Sequence, residues 1–122
     1  MDAHAMLCPA KTDAIDTLAE RIAETAALLD CATHRLLTDI RLFDEAEGWG
    51  RAGALSCAHW LNWRVGIALG AAREKVRVAR ALGTLPLIDE ALSRGEFSYS
   101  KVRAMTRVAS RENEAKLCEL AR

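Results

Sequence analysis

The first third of the chain repeats apolar or small residues at steps of three and four. They are Ile15, Leu18, Ile22, Thr25, Leu29, Ala32, Leu36, Ile40 and Phe43. Steps of this kind place side chains on one stripe of an α-helix. Thr12 is a suitable N-cap for that helix, and Gly48 lies beyond its end. We therefore predict a flexible N-terminus at 1–11 and a long helix at 12–45.

The apolar stripe on this helix is narrow, as in helices that pack lengthwise along another helix. The partner helix can come from the same chain or from a second copy of it. The pattern leaves both arrangements open, so a homodimer through the long N-terminal helix is one expected form of the protein.

Glycines at 48, 50 and 53 indicate a linker at 46–56, after which shorter helical patterns follow. Ser56 is a suitable N-cap for a helix that ends near residue 65, and Val65–Gly70 indicates a tight turn. Pro86, Gly95 and Ser98 occupy positions that favour helix starts or ends. The later helices are predicted at about 71–82, 86–94 and 99–109, and from Ser110 to the end of the chain.

The expected fold is all-α and forms one domain over 12–122. It contains one long N-terminal helix and a bundle of four to five shorter helices at 57–122. A short helix, a glycine-containing turn and a second helix open the bundle, which is the order of a helix-turn-helix unit. Because the last predicted helix runs to Arg122 without a cap, we expect the bundle to be truncated at its C-terminus.

Lysine and arginine balance aspartate and glutamate over the whole chain, 17 against 17, but not along it. Residues 1–50 carry four cations and ten carboxylates, whereas residues 51–111 carry eleven cations and four carboxylates. Such asymmetry is typical of a chain whose basic part binds a polyanion. It equally fits an acidic half that docks on the basic half of the same chain.

Two rows of arginines account for much of the positive charge in the second half. Their members are Arg73, Arg77 and Arg80 in the first row and Arg103, Arg107 and Arg111 in the second. At 100° per residue the first row spans about 60° of a helix face. Guanidinium groups in such rows suit phosphates and guanine edges, with the helix at 71–82 in a major groove. The rows predict DNA binding through phosphates, unless they are solvated faces or are neutralised by carboxylates such as Glu74.

Patterns for catalysis and metal binding are weak in this sequence. Cys31 and His34 share a helix face, but Cys57 and His59 do not have the usual spacing of zinc ligands. No nucleophile motif, phosphate-binding glycine loop or pair of carboxylates is visible. We therefore predict no catalytic residues, no metal and no cofactor on this chain.

The three tryptophans offer aromatic surfaces on which bases could stack. Trp60 and Trp63 lie three residues apart beside Leu61, and we expect both to pack in the core or at the turn. Trp49 lies between two glycines and is expected to anchor the linker to the bundle.

No stretch of the chain approaches the roughly 18 apolar residues of a membrane span. The sequence does not open with a charged and then apolar leader that ends in a cleavage site. Its four cysteines are scattered without a CxxC pair, which favours reduced thiols over a disulfide framework. We therefore expect a cytoplasmic protein without a membrane partner.

The second half of the chain resembles a known family of bacterial proteins. The resemblance is densest in Ala58–Leu61, Gly70–Leu82, Leu85-Pro86, Gly95–Ser98 and Lys101-Val102. These stretches resemble the domain of unknown function 222, also called the 13E12 repeat family, and the likeness extends over about 12–122. Members commonly carry an HNH endonuclease module after this domain, so the resemblance implies a DNA-directed context.

The HNH module itself is not expected on this chain. That module needs clustered histidines and an asparagine, whereas His4, His34 and His59 all lie upstream of the region where it would begin. Our hypothesis is therefore a DNA-associated helical module of an HNH-endonuclease-like protein, which helps to bind or position DNA without cutting it. One alternative is a dimerisation or protein-interaction module whose arginines pair with its own acidic half. Another is a truncated fragment without function.

Overall fold

The computed structural model describes residues 9–122 and begins with one dominant helix. This helix, α1, spans Pro9–Glu45 and has 37 residues, so it starts three residues before the predicted cap at Thr12. Of the flexible segment predicted at 1–11, residues 1–8 lie outside the described part of the chain, and the last three residues are helical. The predicted end of the helix at residue 45 is confirmed.

Six shorter helices follow in the described part of the chain, and five of them lie in the bundle at 57–122, where four to five were predicted. The six are α2 (Gly48–Arg51), α3 (Cys57–Val65), α4 (Leu69–Leu82), α5 (Pro86–Ser93), α6 (Tyr99–Met105) and α7 (Glu114–Ala121). The additional helix is α2, a single turn within the predicted linker. Residues 9–122 contain no strand, so the all-α prediction is confirmed. Within the same residues, no helix is long and apolar enough to cross a membrane.

The two halves of α1 have different surroundings. Every residue from 10 to 26 is exposed, whereas from Ala27 onward the helix packs on the bundle, chiefly against α4 and α5. Asp30 Oδ1 accepts a hydrogen bond from the N–H of Tyr99 at the start of α6 (3.1 Å). His34 Nε2 lies 2.9 Å from Asp89 Oδ1 in α5. The second half of α1 is therefore the wall on which the later helices assemble.

The pair α3 and α4 forms the most extensive helix contact of the fold. Ser56 caps α3 as predicted, because its Oγ accepts a hydrogen bond from the N–H of His59 (3.2 Å). Gly66 ends α3 with a φ of 79°, a left-handed conformation that glycine adopts without strain. α4 begins at Leu69, so the predicted order of helix, tight turn and helix is confirmed.

The core lies between the second half of α1 and helices α3 to α7. Its largest fully buried side chains include Leu37, Leu61, Val78, Ile88, Leu92 and Phe97. Gly95 brings the connection between α5 and α6 against α1, since a Cβ at this position would lie 2.9 Å from the carbonyl oxygen of Ala27. Its φ of 69° matches the predicted position just after α5. Ser98 then caps α6 through the N–H of Lys101 (3.1 Å), also as predicted.

A buried carboxylate joins α7 to α5. Glu114 Oε1 accepts a hydrogen bond from the N–H of Ile88 (2.9 Å), and the glutamate side chain is buried. Ile88 lies in the first turn of α5, where backbone N–H groups have no acceptor within the helix. The predicted cap Ser110 lies one turn before α7, where its backbone N–H donates to Asn113 Oδ1 (2.7 Å) and its Oγ accepts from the N–H of Asn113 (3.3 Å).

Replacing Glu114 with alanine should lower the free energy of unfolding by about 1–3 kcal/mol, because the N–H of Ile88 loses its buried acceptor. The control is Glu119→Ala, which removes an exposed glutamate from the same helix and should change this free energy by less than about 0.5 kcal/mol. Urea unfolding followed by circular dichroism measures both changes. Equal effects of the two substitutions would contradict a stabilising role for the Glu114 contact.

Candidate nucleic-acid interface

α4 turns its arginine row away from the core. Ala72, Val76 and Ala79 are buried on one side of the helix. On the other side Arg73 and Arg80 are exposed and Arg77 is partly exposed. The structure therefore places the first arginine row on one solvent-facing side of α4.

A single carboxylate on α4 accepts hydrogen bonds from arginines in two parts of the chain. Glu74 Oε1 accepts hydrogen bonds from Arg77 Nη2 (2.6 Å), Arg103 Nε (3.0 Å) and Arg107 Nη2 (3.0 Å). Arg77 Nη2 also donates to the carbonyl oxygen of Arg103 (3.1 Å). The two arginine rows therefore meet at one place, and we call these four residues the Glu74 cluster.

The Glu74 cluster keeps a positive charge, because three guanidinium groups share one carboxylate. The hydrogen bond from Arg77 is the main reason that the pKa of Glu74 falls from 4.5 to about 2, and the bond from Arg103 and the charge of Arg107 add to it. The Glu74 side chain is 16% exposed, whereas Arg103 and Arg107 are each more than half exposed. The carboxylate thus lies beneath a cationic surface that water reaches.

The other three predicted arginines have different environments. Arg80 donates from Nε to Asp44 Oδ2 (2.7 Å) and from Nη2 to Asp44 Oδ1 (3.1 Å), which ties α4 to the end of α1. Arg73 and Arg111 form no hydrogen bond or ion pair with the residues that the structure describes. Of the six arginines, Arg80 is therefore the one bonded to the described part of the acidic first half.

The second arginine row does not lie on one helix, contrary to the helix predicted at 99–109. α6 ends at Met105, so Arg103 is helical while Arg107 and Arg111 lie in successive turns. In a longer helix the carbonyl oxygen of Arg103 would accept a hydrogen bond from a backbone N–H. Here it accepts one from the side chain of Thr106, whose Oγ1 lies 3.0 Å away. The turn, rather than helical spacing, brings Arg107 back to Glu74.

A pocket of about 370 Å³ lies between the α4 row and the start of α3. It is lined by Ser56, Cys57, Ala58, Arg73, Val76, Arg77 and Arg80. The first N–H groups of a helix and the guanidinium groups of arginines both favour anions such as phosphate. The pocket therefore extends the cationic surface from the Glu74 cluster towards α3.

Lys75 and Tyr99 adjoin the cluster, although sequence reasoning did not single them out. Lys75 Nζ lies 4.2 Å from the centre of the Tyr99 ring, and both residues line a second pocket with Glu74 and Arg103. Burial and the charge of Arg103 lower the pKa of Lys75. The spacing of three residues between Glu74 and Arg77 is a sequence signal for their pair. No comparable signal links Lys75 to Tyr99, because their contact depends on tertiary packing.

The tryptophans differ in their packing. Trp60 packs on Phe43, with ring centres 4.4 Å apart, and Trp49 packs against the core as expected. Trp63 is 72% exposed, so the expectation that it packs is wrong. Because Leu61 is buried in the core, a side chain two positions later points to the opposite side of the helix.

The histidines singled out in the sequence form hydrogen bonds within the domain. His34 contacts Asp89, and His59 Nδ1 lies 2.7 Å from Ser56 Oγ. Across the described residues, no group of three or more His, Cys, Asp or Glu side chains could hold a metal ion.

A comparison with protein families matches most of the chain. The model of the family described as Domain of unknown function (DUF222) matches residues 16–120. The chain belongs to this family. The match runs from α1 to α7, so the Glu74 cluster lies within the part of the chain that defines membership in DUF222. No curated protein and no solved structure matches the chain.

Glu74 should make the stability of this DUF222 domain depend on pH in acid. Because its pKa is lowered on folding, the ionised carboxylate stabilises the folded chain above about pH 4.5, and this contribution is lost as the pH falls towards 2. We expect Glu74→Gln to be less stable than the wild-type chain near pH 6 and the difference to shrink by about pH 2.5. Chemical unfolding across this range measures the difference.

The control for this titration is Glu20→Gln in the exposed half of α1. Glu20 is exposed and forms no ion pair with the residues described, so its replacement should change the free energy of unfolding near pH 6 by less than about 0.5 kcal/mol. A stability difference for Glu74→Gln that stays constant down to about pH 2.5 would contradict the assignment.

Proposed function

We propose that this chain is a DNA-associated helical module that binds or positions a duplex without cutting it. The proposed contact surface consists of the Glu74 cluster, Arg73 and the pocket at the start of α3. The observation that carries the proposal is the meeting of both arginine rows on one exposed side of the bundle. Exposed guanidinium groups in this arrangement suit a run of backbone phosphates.

The distribution of counter-charges supports a polyanion partner over pairing within the chain. Three arginines of the cluster share one carboxylate, and Asp44 engages Arg80 alone. The carboxylates in the exposed half of α1, which are Asp13, Asp16, Glu20 and Glu24, form no ion pair with the described arginines. The basic surface therefore keeps uncompensated charge that phosphates can neutralise.

The order of α3, turn and α4 supports a specific docking arrangement. In helix-turn-helix units the second helix enters the major groove and the first helix crosses the backbone. In this chain α4 would enter the groove with Arg73 and Arg77 towards the DNA. Arg103 and Arg107 would then reach the neighbouring backbone, and the start of α3 would face a phosphate.

The family resemblance supports a role for such a module beside a nuclease. Members of the family commonly carry an HNH endonuclease module after this domain. We propose that the DUF222 module holds the duplex while an HNH-type module performs the cleavage. No hydrolytic step is assigned to the residues of this chain.

Binding of a duplex of about 20 base pairs should weaken steeply with salt. If Arg73, Arg77, Arg103 and Arg107 each meet a phosphate, the log–log slope of affinity against salt is about −3 to −4. The triple variant Arg73→Gln, Arg103→Gln, Arg107→Gln should weaken binding at about 0.1 M salt by at least tenfold and flatten the slope by about 1 per arginine. Fluorescence anisotropy measures both quantities.

The matched control is Arg35→Gln, Arg51→Gln, Lys116→Gln, which removes three exposed cations from α1, α2 and α7. This variant has the same net charge as the first, and we expect its affinity to stay within about twofold of wild type, because its cations lie outside the proposed contact surface. Equal losses of duplex affinity in the two triple variants would show that binding depends only on the net charge of the chain. A wild-type chain that binds no duplex at low salt would refute the proposal.

A further inference from the structure

The first half of α1 exposes an apolar face that no other described residue covers. Ile22 is 69% exposed and Leu29 is 64% exposed, and Ile15 and Leu18 are also exposed. Since all residues from 10 to 26 are exposed, this half of the helix gains no stability from packing on the described part of the chain. An unpacked helical segment of this length is marginal in water.

The exposed face follows the heptad spacing of a coiled coil. With position a at Ile15, the positions a are Ile15, Ile22, Leu29 and Leu36, and the positions d are Leu18, Thr25 and Ala32. We call these seven residues the seam. In parallel coiled coils, isoleucine at a with leucine at d favours two strands. The first two heptads of the seam have this composition at Ile15, Leu18 and Ile22.

The seam points away from the bundle. Ala27, His34 and Arg41 contact the bundle from α1, and all three occupy position f, which lies about half a turn from the seam at 100° per residue. A second helix can therefore lie along the seam without displacing the bundle. Beyond Leu36, α3 covers α1, since Trp60 packs on Phe43. The free length is therefore about 33 Å, the rise of 22 helical residues.

The exposed area is sufficient for an interface between two copies. The large aliphatic side chains on and beside the seam, including Leu28, expose on the order of 600 Å² per chain, against roughly 800 Å² per partner in a standard interface. Monomers rarely leave contiguous apolar patches larger than a few hundred Å². Two seams together supply about the area that a specific dimer buries.

The positions flanking the seam allow two copies to approach in parallel. Position g of one strand faces position e of the next heptad in its partner. Arg21 at g would face Ala26, and Leu28 at g would face Thr33. Pairing two copies therefore brings no like charges together along the seam.

We propose that the chain forms a parallel homodimer in which the two seams pair in register. The occupant of the exposed face is a second copy of this chain, because the heptad pattern, the area and the flanking residues all fit self-pairing. The dimer does not require DNA. It carries two Glu74 clusters at the same end of the coiled coil, since each bundle packs on the second half of its own α1.

Sedimentation equilibrium of the full chain at about 100 µM tests this proposal. We expect twice the 13.4 kDa mass of one chain for the wild type. Ile22→Lys and Ile22→Glu, each alone, should give the mass of one chain, because each places two like charges at facing a positions. The control Ala23→Glu alters the next residue of the helix, which is off the seam, and should keep the dimer mass.

Mixing Ile22→Lys with Ile22→Glu tests the orientation. In a parallel, in-register coil residue 22 faces its own counterpart, so the mixture should regain the dimer mass through opposite charges. A mixture that stays at the mass of one chain overturns the parallel register. A wild-type chain that sediments at the mass of one chain overturns the dimer itself. A different segment or partner would then bind the seam. Near-ultraviolet circular dichroism of the tryptophans shows that the bundle stays folded in each variant.

Discussion

Three guanidinium groups repel one another, and in this domain one carboxylate holds them together. Glu74 accepts a hydrogen bond from an arginine of its own helix, from one in α6 and from one in the following turn. These bonds connect α4 to the α6 region, and they leave more positive charge than negative charge at the surface. The exposure of Arg103 and Arg107 above a nearly covered Glu74 follows from this arrangement. The proposed DNA interface depends on this constraint more than on any other contact.

The acidic residues of α1 have different roles in the two halves of the helix. Its second half packs on the bundle, where Asp30 and Asp44 bond to the start of α6 and to Arg80. Its first half carries Asp13, Asp16, Glu20 and Glu24 on an exposed helix, together with the first part of the seam. The acidic half therefore contributes two anchoring carboxylates to the basic half but does not neutralise its surface. The wall formed by α1 and the surface formed by α4 and α6 can thus serve separate functions.

Sequence patterns predicted what depends on local periodicity and capping. The steps of three and four residues gave α1, and Ser56, Ser98 and Gly95 marked helix ends that the structure confirms. The helix predicted at 99–109 is longer than the observed α6. The spacing of apolar residues does not show that a side-chain hydroxyl, such as that of Thr106, donates a hydrogen bond to a backbone carbonyl oxygen. Nor does spacing reveal that Arg103 and Arg107 reach Glu74, since residues 29 and 33 positions apart meet only through the fold.

The duplex affinity of Glu74→Gln tests the central claim most directly. If the Glu74 cluster is the DNA interface, Glu74→Gln adds a net positive charge to the contact surface, while the amide oxygen of the glutamine can still accept hydrogen bonds from the three arginines. The folded variant should then bind duplex several-fold more tightly than wild type at about 0.1 M salt, with a steeper salt dependence, while Glu20→Gln should match wild type. A folded Glu74→Gln variant whose affinity is unchanged or weaker would contradict the account.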